Sequence, residues 1–525
     1  MSSWWGRQKA TYFGNATAIK EYRVQLRSTK SAWMLFLYVG ILVLVALTSY
    51  AAIAGRSGDG SVSMAGFQQS LSGFYFAVLG IITTAILALA PVLAASPIVA
   101  EYDRRSMEIV LATPITPKYF LLGKYLGACR QLILLLFLSL PITAVGVAFG
   151  GSTWQEFLEQ YLSFFLQGAL AMAIATIVAV STKKVATTVF VTYANLFAIS
   201  MIGSITGITA FFGPSTPTPS GAQIGPFYGL LLPYSGALTV GSVTLVNSIE
   251  VPNWIFAIIL AALGVKLCLL GAGSVLSKDG AVEIKSLRLH GVVSLAVLSS
   301  LFGFLLAPTI LGPMTAGIGG SGGPPIAPSG IFFTLAFPMA AAVFFCVSTT
   351  SCFGLIDERK TREDGLFNLR RTFTGRPSSG LPYLLVLALA GSIPLWVVWG
   401  LYARGDWVVA VIHSVWFFVA VAFYWSCARL LSCGFLTAEA AKKSFTGILA
   451  LLAFLVPAGL GVLDAAMISW IGSNWVPWSI RYPMIPGVEL DLETMKIIVL
   501  AILTVGLTYL GERIKRSKRE RLGVI

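Results

Sequence analysis

The sequence predicts an all-α fold: a polytopic integral membrane helical bundle of about 12 transmembrane helices in two six-helix halves. Three observations predict it. Of 525 residues, 56% are hydrophobic and only 11% are charged. Apolar runs of roughly 20 residues, the length a helix needs to cross hydrocarbon, recur along the chain. Lysine and arginine gather in every second interval between those runs. A typical soluble domain carries about 25% charged residues, so a chain this long with so few must meet lipid over much of its surface. The mean hydropathy of +0.83 agrees.

The runs fall near 31–53, 73–99, 125–149, 159–181, 186–212 and 253–275, then near 290–312, 330–352, 382–402, 407–429, 445–469 and 495–511. At about 1.5 Å per residue each covers a hydrocarbon layer of about 30 Å. In lipid every backbone N–H and C=O must be paired internally, and runs this long and this uniformly apolar are not barrel strands.

Twelve spans put both termini on one side, and the basic residues identify that side. Of 36 Lys and Arg, 31 lie before residue 31, between Arg104 and Arg130, at Lys183 and Lys184, in 276–289, in 353–381, in 428–444 or after 511. The opposite side holds Arg56, Arg404, Arg481 and Lys496, and Lys266 stands inside a span. Basic residues mark the cytoplasmic side, so both termini are expected in the cytoplasm, at the cell (inner) membrane. The same clustering disposes of nucleic acid as a partner. A net charge of +14 would suit it, but no continuous basic domain exists.

Cys129, Cys268, Cys346, Cys352, Cys427 and Cys433 lie in or beside apolar runs without a CxxC pair, and the histidines are His290 and His413. Neither a metal site nor a disulfide framework is expected. The first apolar run is too long for a signal-peptide core and reads as a retained anchor.

Residues 1–30 form a cytoplasmic segment in which Ile19, Tyr22 and Leu26 repeat at helical spacing among Lys20, Arg23, Arg27 and Lys30, behind Trp4 and Trp5. Such a helix is expected to lie in the headgroup plane. The outer loop 213–252 has no Lys or Arg and contains Pro214, Pro217, Pro219, Pro226 and Pro233. It reads as an external cap or re-entrant hairpin. The halves, 31–275 and 290–511, share a layout: a charged inner loop after the second span and a long outer segment before the sixth. That suggests a duplication around the cytoplasmic linker 276–289. A basic cytoplasmic tail, 512–525, is expected to follow.

No catalytic residues are expected. The phosphate-binding pattern GxxxxGK[ST] is missing, since Gly123-Lys124 is followed by Tyr125 and the Gly-rich stretch 318–323 lies on the outer side. Energy must come from a gradient or another subunit. Intramembrane ionisable residues, the usual mark of a gradient, are few: Lys266, His413 and Asp464. Each is read as a helix-packing group ahead of an ion-coupling one.

The distinctive segment is the inner loop 100–124. It mixes Glu101, Asp103 and Glu108 with Arg104, Arg105 and Lys118. Orientation needs only Lys and Arg, so mixed charge with Met107, Val110 and Leu111 suits a short helix docking on a soluble partner. Thr113-Pro114 would stop it. The run from Glu101 through Arg104, Ser106, Glu108, Leu111-Ala112-Thr113-Pro114-Ile115-Thr116 to Leu121-Leu122-Gly123-Lys124 resembles the permeases of the type-2 ATP-binding-cassette (ABC) exporters. So do Ala18-Ile19-Lys20-Glu21-Tyr22-Arg23 and Leu232-Pro233-Tyr234-Ser235, and the resemblance covers roughly 10–275.

The resemblance implies that the loop carries a coupling helix resting on a separate ABC ATPase subunit, two copies of which would bind ATP and Mg. This chain itself would hold no cofactor. By matching position Glu101, Arg104, Arg105, Glu108, Leu111, Thr113 and Pro114 would form the contact, and Lys118, Gly123 and Lys124 would shape the return to the third span. In the second half, Asp357, Glu358 and Arg359 in the inner loop 353–381 echo the start of the motif without its Leu-Ala-Thr-Pro or Gly-Lys parts. That half is either a diverged permease copy with its own ATPase contact or an accessory bundle. The expectation is therefore an exporter permease, moving a hydrophobic or amphiphilic substrate by alternating access. The alternatives are a gradient-driven secondary carrier and a non-transporting maturation or scaffold factor.

Overall fold

The computed structural model describes residues 15–57, 64–112, 116–148, 153–196, 243–246, 249–276, 284–300, 372–373, 382–392 and 490–522, with isolated positions between 415 and 430. The chain divides into two units, Met1–Lys278 and Asp279–Ile525, described separately here.

In the first unit α1 (Ala16–Arg27) meets α2 (Thr29–Ser57) across a single residue, Ser28. The break is capped: the Ser28 hydroxyl accepts from the Ser31 N–H at 3.1 Å, taking up one of the donors a helix start leaves free. Next come α3 (Met64–Asp103), the short α4 (Met107–Ala112), α5 (Pro117–Ala148) and α6 (Trp154–Thr182). A capping box starts α6, with Thr153 and Glu156 exchanging side-chain and backbone bonds. A further helix, α7, runs from Val185 and is described to Leu196. Two short strands, β1 (Val243–Val246) and β2 (Ile249–Pro252), pair antiparallel before α8 (Asn253–Leu276).

Five helices among the described residues are long and apolar enough to cross a membrane: Ser31–Thr48, Ala77–Asp103, Pro117–Val145, Trp154–Thr182 and Trp254–Leu276. They are five of the twelve runs read from the sequence. The runs 330–352 and 445–469 lie outside the described residues. Residues 243–246 and 249–252, in the segment read as an external cap or re-entrant hairpin, pair as two short antiparallel strands in an otherwise helical unit, as their Val, Thr and Ile content favours.

The core of this unit lies where α2, α3, α5 and α6 meet. Tyr38, Leu42, Ile82, Ile86, Leu132, Leu135, Phe164 and Met172 are buried there, with Val265, Cys268 and Leu269 of α8 against them. Hydrocarbon gives helices no reason to prefer one another, so close packing of small residues must hold them together. α6 supplies it with Gly168, Ala169, Ala171, Ala173 and Ala175. A Cβ on Gly168 would sit 2.6 Å from a Leu132 methyl. Polar groups tie the helices: the Tyr125 hydroxyl donates to the Ala169 carbonyl at 3.1 Å and the Tyr193 hydroxyl to that of Ala88 at 2.7 Å. Proline at positions 91 and 97 of α3 and 141 of α5 removes ladder bonds, a loss membrane helices tolerate when neighbours re-satisfy the freed groups.

In the second unit α9 (284–300), α10 (Pro382–Ser392) and α11 (Leu490–Leu522) are described. Arg288 falls at the end of the segment read as a cytoplasmic linker, 276–289. It lies in α9, fully buried; its guanidinium donates to the Thr372 carbonyl at 2.7 Å and stacks on Tyr383 at 4.9 Å. In the basic segment after residue 511, α11 continues to Leu522, as a run of Glu, Lys and Arg permits.

Candidate functional site

The site is built around the end of α3. Backbone N–H groups of Arg105 and Ser106 bond the carbonyls of Tyr102 and Glu101 at 3.0 and 3.1 Å, and Arg105 adopts φ 55°. This is a Schellman turn, a left-handed residue closing a helix, here without the usual glycine. Ser106 then starts α4, accepting from the Val110 N–H at 3.0 Å. Its hydroxyl turns back to the Glu101 carboxylate. One residue therefore closes the joint between a span and a short helix, and the direction of α4 is fixed by that joint.

α4 is amphipathic over six residues. Met107, 4% exposed, and Val110 pack into a cluster of Ala95, Ile98, Val99, Phe120, Leu121, Ala179, Val180, Ala272 and Leu276. The other face shows Glu108, Ile109 and Ala112 to the outside, and Ile109 is 70% exposed. The cluster gathers the last turns of α3, α6 and α8 and the first turn of α5, so these four ends lie together. They are the ends to which the sequence assigns the basic, inward loops. The Lys183 ammonium, after α6, stands 5.5 Å from the Tyr102 ring centroid.

Behind α4 lies a buried ion cluster. Lys124, 3% exposed, pairs with the Glu21 carboxylate of α1 and, at 2.9 Å, with Glu101 of α3. It also donates to the Pro97 carbonyl at 3.3 Å and faces the Phe120 ring. α1 reaches this position by lying on a Gly123-x-x-x-Gly127 face of α5, where a Cβ on Gly123 would meet Asn15 Oδ1 and the Thr17 Cβ at 2.6 Å. Asn15 caps α1, accepting from the N–H groups of Thr17 and Ala18, while its amide donates to the Tyr119 carbonyl at 3.2 Å.

The residues read from the sequence therefore separate. Arg104 and Arg105 are exposed just before α4, Glu108 is exposed on it, and Lys118 is half-buried in the first turn of α5. Glu101 is half-buried and turned inward onto Lys124 and Ser106. Leu111 lies in α4, but its side chain, like Thr113, Pro114, Asp357, Glu358, Arg359, His413 and Asp464, lies outside the described residues. Lys266 is exposed on α8, roughly 15 Å from Leu276 at 1.5 Å per residue. Among the described residues no group of three metal-ligating side chains occurs.

Sequence reasoning missed Asn15, Glu21 and Gly127. It read Ile19, Tyr22 and Leu26 as the apolar repeat of a helix in the headgroup plane; in the fold Asn15, Ala18 and Glu21 are buried and Ile19 and Tyr22 half-buried. The signals were present: an acid amid the basic residues of α1, and two glycines four apart beside a lysine in an apolar run.

The first unit is thus a multi-span helical bundle with a short two-faced helix between its second and third spans. Residues 16–279, half of the chain, match the model of the ABC-2 family transporter protein, and the chain belongs to that family. The match runs from the first residue of α1 past the end of α8, so it contains both α4 and the ion cluster. Comparison with the curated proteins finds no match.

Proposed function

We propose that this chain is the membrane subunit of an ABC exporter, moved by separate ATPase subunits that dock on α4 from the cytoplasm. The observation that carries the reading is α4 itself: a short helix anchored by Met107 whose other face leaves Ile109 open to the outside beside Glu108. An exposed isoleucine on a rigidly held helix has the character of an interface anchor, and a few such residues dominate most interfaces. ATP and Mg would be held by the ATPases, and their closure would push α4 and rearrange the spans by alternating access. The apolar composition favours a hydrophobic or amphiphilic substrate.

Copurification tests the reading. Glu108→Lys and Ile109→Asp remove the anchor without touching the buried face of α4. Each is expected to lower the ABC ATPase recovered per permease at least tenfold, about 1.4 kcal/mol of contact, while the permease's own thermal midpoint stays near wild type. Undiminished recovery from both variants would reject α4 as the docking surface.

A further inference from the structure

The ion cluster behind α4 has a form that packing alone does not require. Lys124 stands between two carboxylates on different helices, Glu21 of α1 and Glu101 at the end of α3. The same Glu101 carboxylate accepts from the hydroxyl of Ser106, the residue that starts α4. A continuous chain of charged and polar contacts thus runs from α1 through Glu21, Lys124, Glu101 and Ser106 to α4. α1 passes in turn into the first span across Ser28 alone, and the start of that span is held to α5 by Gln131 donating to Ser31 at 3.0 Å.

We infer that Lys124 is a positioning residue that locks α1 to α4, so that a push on α4 moves α1, and with it the first span, as one lever. The inference rests on α4 being the docking helix. Were α1 held by apolar contact alone, its seat on Gly123 and Gly127 would allow it to slide or lift. A buried lysine whose second carboxylate also holds Ser106, the residue just before α4, fixes one arrangement, since leaving any member unpaired is strongly disfavoured. Lys20, exposed on α1, adds a second positive charge acting on Glu101.

The test is amide hydrogen exchange of the full complex with its ATPase, compared without nucleotide and after trapping with ATP and vanadate. In wild type, α1 and α4 are expected to change protection together on trapping. Lys124→Met should break the lever. It also strands two acids, so it is paired with the neutral triple variant E21Q/E101Q/K124M, which leaves no buried charge. In the triple variant α4 should still respond to trapping, α1 should no longer respond, and ATP turnover should fall at least fivefold. Lys124→Arg should restore the shared response. A purely structural role would loosen α1 equally in both states and keep its response to nucleotide. That result, or wild-type turnover in the triple variant, overturns the lever. Failure of the docking reading is distinguishable: Ile109→Asp would then retain the ATPase, whereas a failed lever leaves that variant unable to bind.

Discussion

At the scale of single residues, the contacts of α1 rest on the absence of side chains. Gly123 admits Asn15 and Thr17 at a distance no Cβ tolerates, whereas Gly80 of α3 has nothing within 4 Å of where a Cβ would stand. Alanine is the better helix former by about 1 kcal/mol, so the two substitutions should differ in sign. G80A is expected to hold or raise the thermal midpoint of the purified permease. G123A should lower it, by about 1–3 kcal/mol of overpacking, and equal effects would deny the close seat of α1. Arg105 offers the converse. Its left-handed conformation strains any residue with a Cβ by about 1–2 kcal/mol, so R105G should stabilise and R105V destabilise, as read by thermal unfolding. The sequence named both residues for other roles, Arg105 for the partner contact and Gly123 for the return to the third span. A left-handed arginine has no signature without the glycine that usually marks such a turn, and Lys124 was read as shaping the return to the third span, because its two acids stand 23 and 103 residues away in the chain.

At the scale of elements, periodicity and capping were legible and long-range pairing was not. The apolar runs near 31–53 and 253–275 sit within α2 and α8, because hydrocarbon leaves a helix no competitor. Boundaries moved where polar residues stay helical: α5 begins at Pro117, eight residues before the apolar run expected at 125, since Pro suits a first helical position and the residues to Lys124 pack on α1. The mixed charge of residues 101–108 correctly signalled a short helix, yet the charges divide by role. Glu108 faces out, whereas Glu101 faces Lys124. The two acids should therefore behave differently. E108Q is expected to weaken ATPase recovery and leave the midpoint unchanged, whereas E101Q should lower the midpoint with recovery per folded permease preserved. A single shared phenotype would contradict the division.

At the scale of the molecule, the charge pattern predicts an orientation that the first unit can test. The ends of α3, α6 and α8 and the start of α5 converge on one cluster, so the neighbouring positions Arg104 and Lys184 should share a side. Cysteines placed at these exposed positions should react with a membrane-impermeant maleimide only in inverted vesicles, and labelling of either in intact cells would break the topology. What the second unit contributes depends on side chains such as Arg288, whose burial no span count reveals. The central claim is that an ATPase rests on α4. The most direct measurement places a photo-crosslinking amino acid at position 109 of the full chain in its native membrane. An ATP-binding-cassette ATPase joined to it, and lost when the crosslinker is moved to the exposed Phe36 of α2, is the predicted result. Adducts to lipid or to the chain itself, with no ATPase, would contradict it.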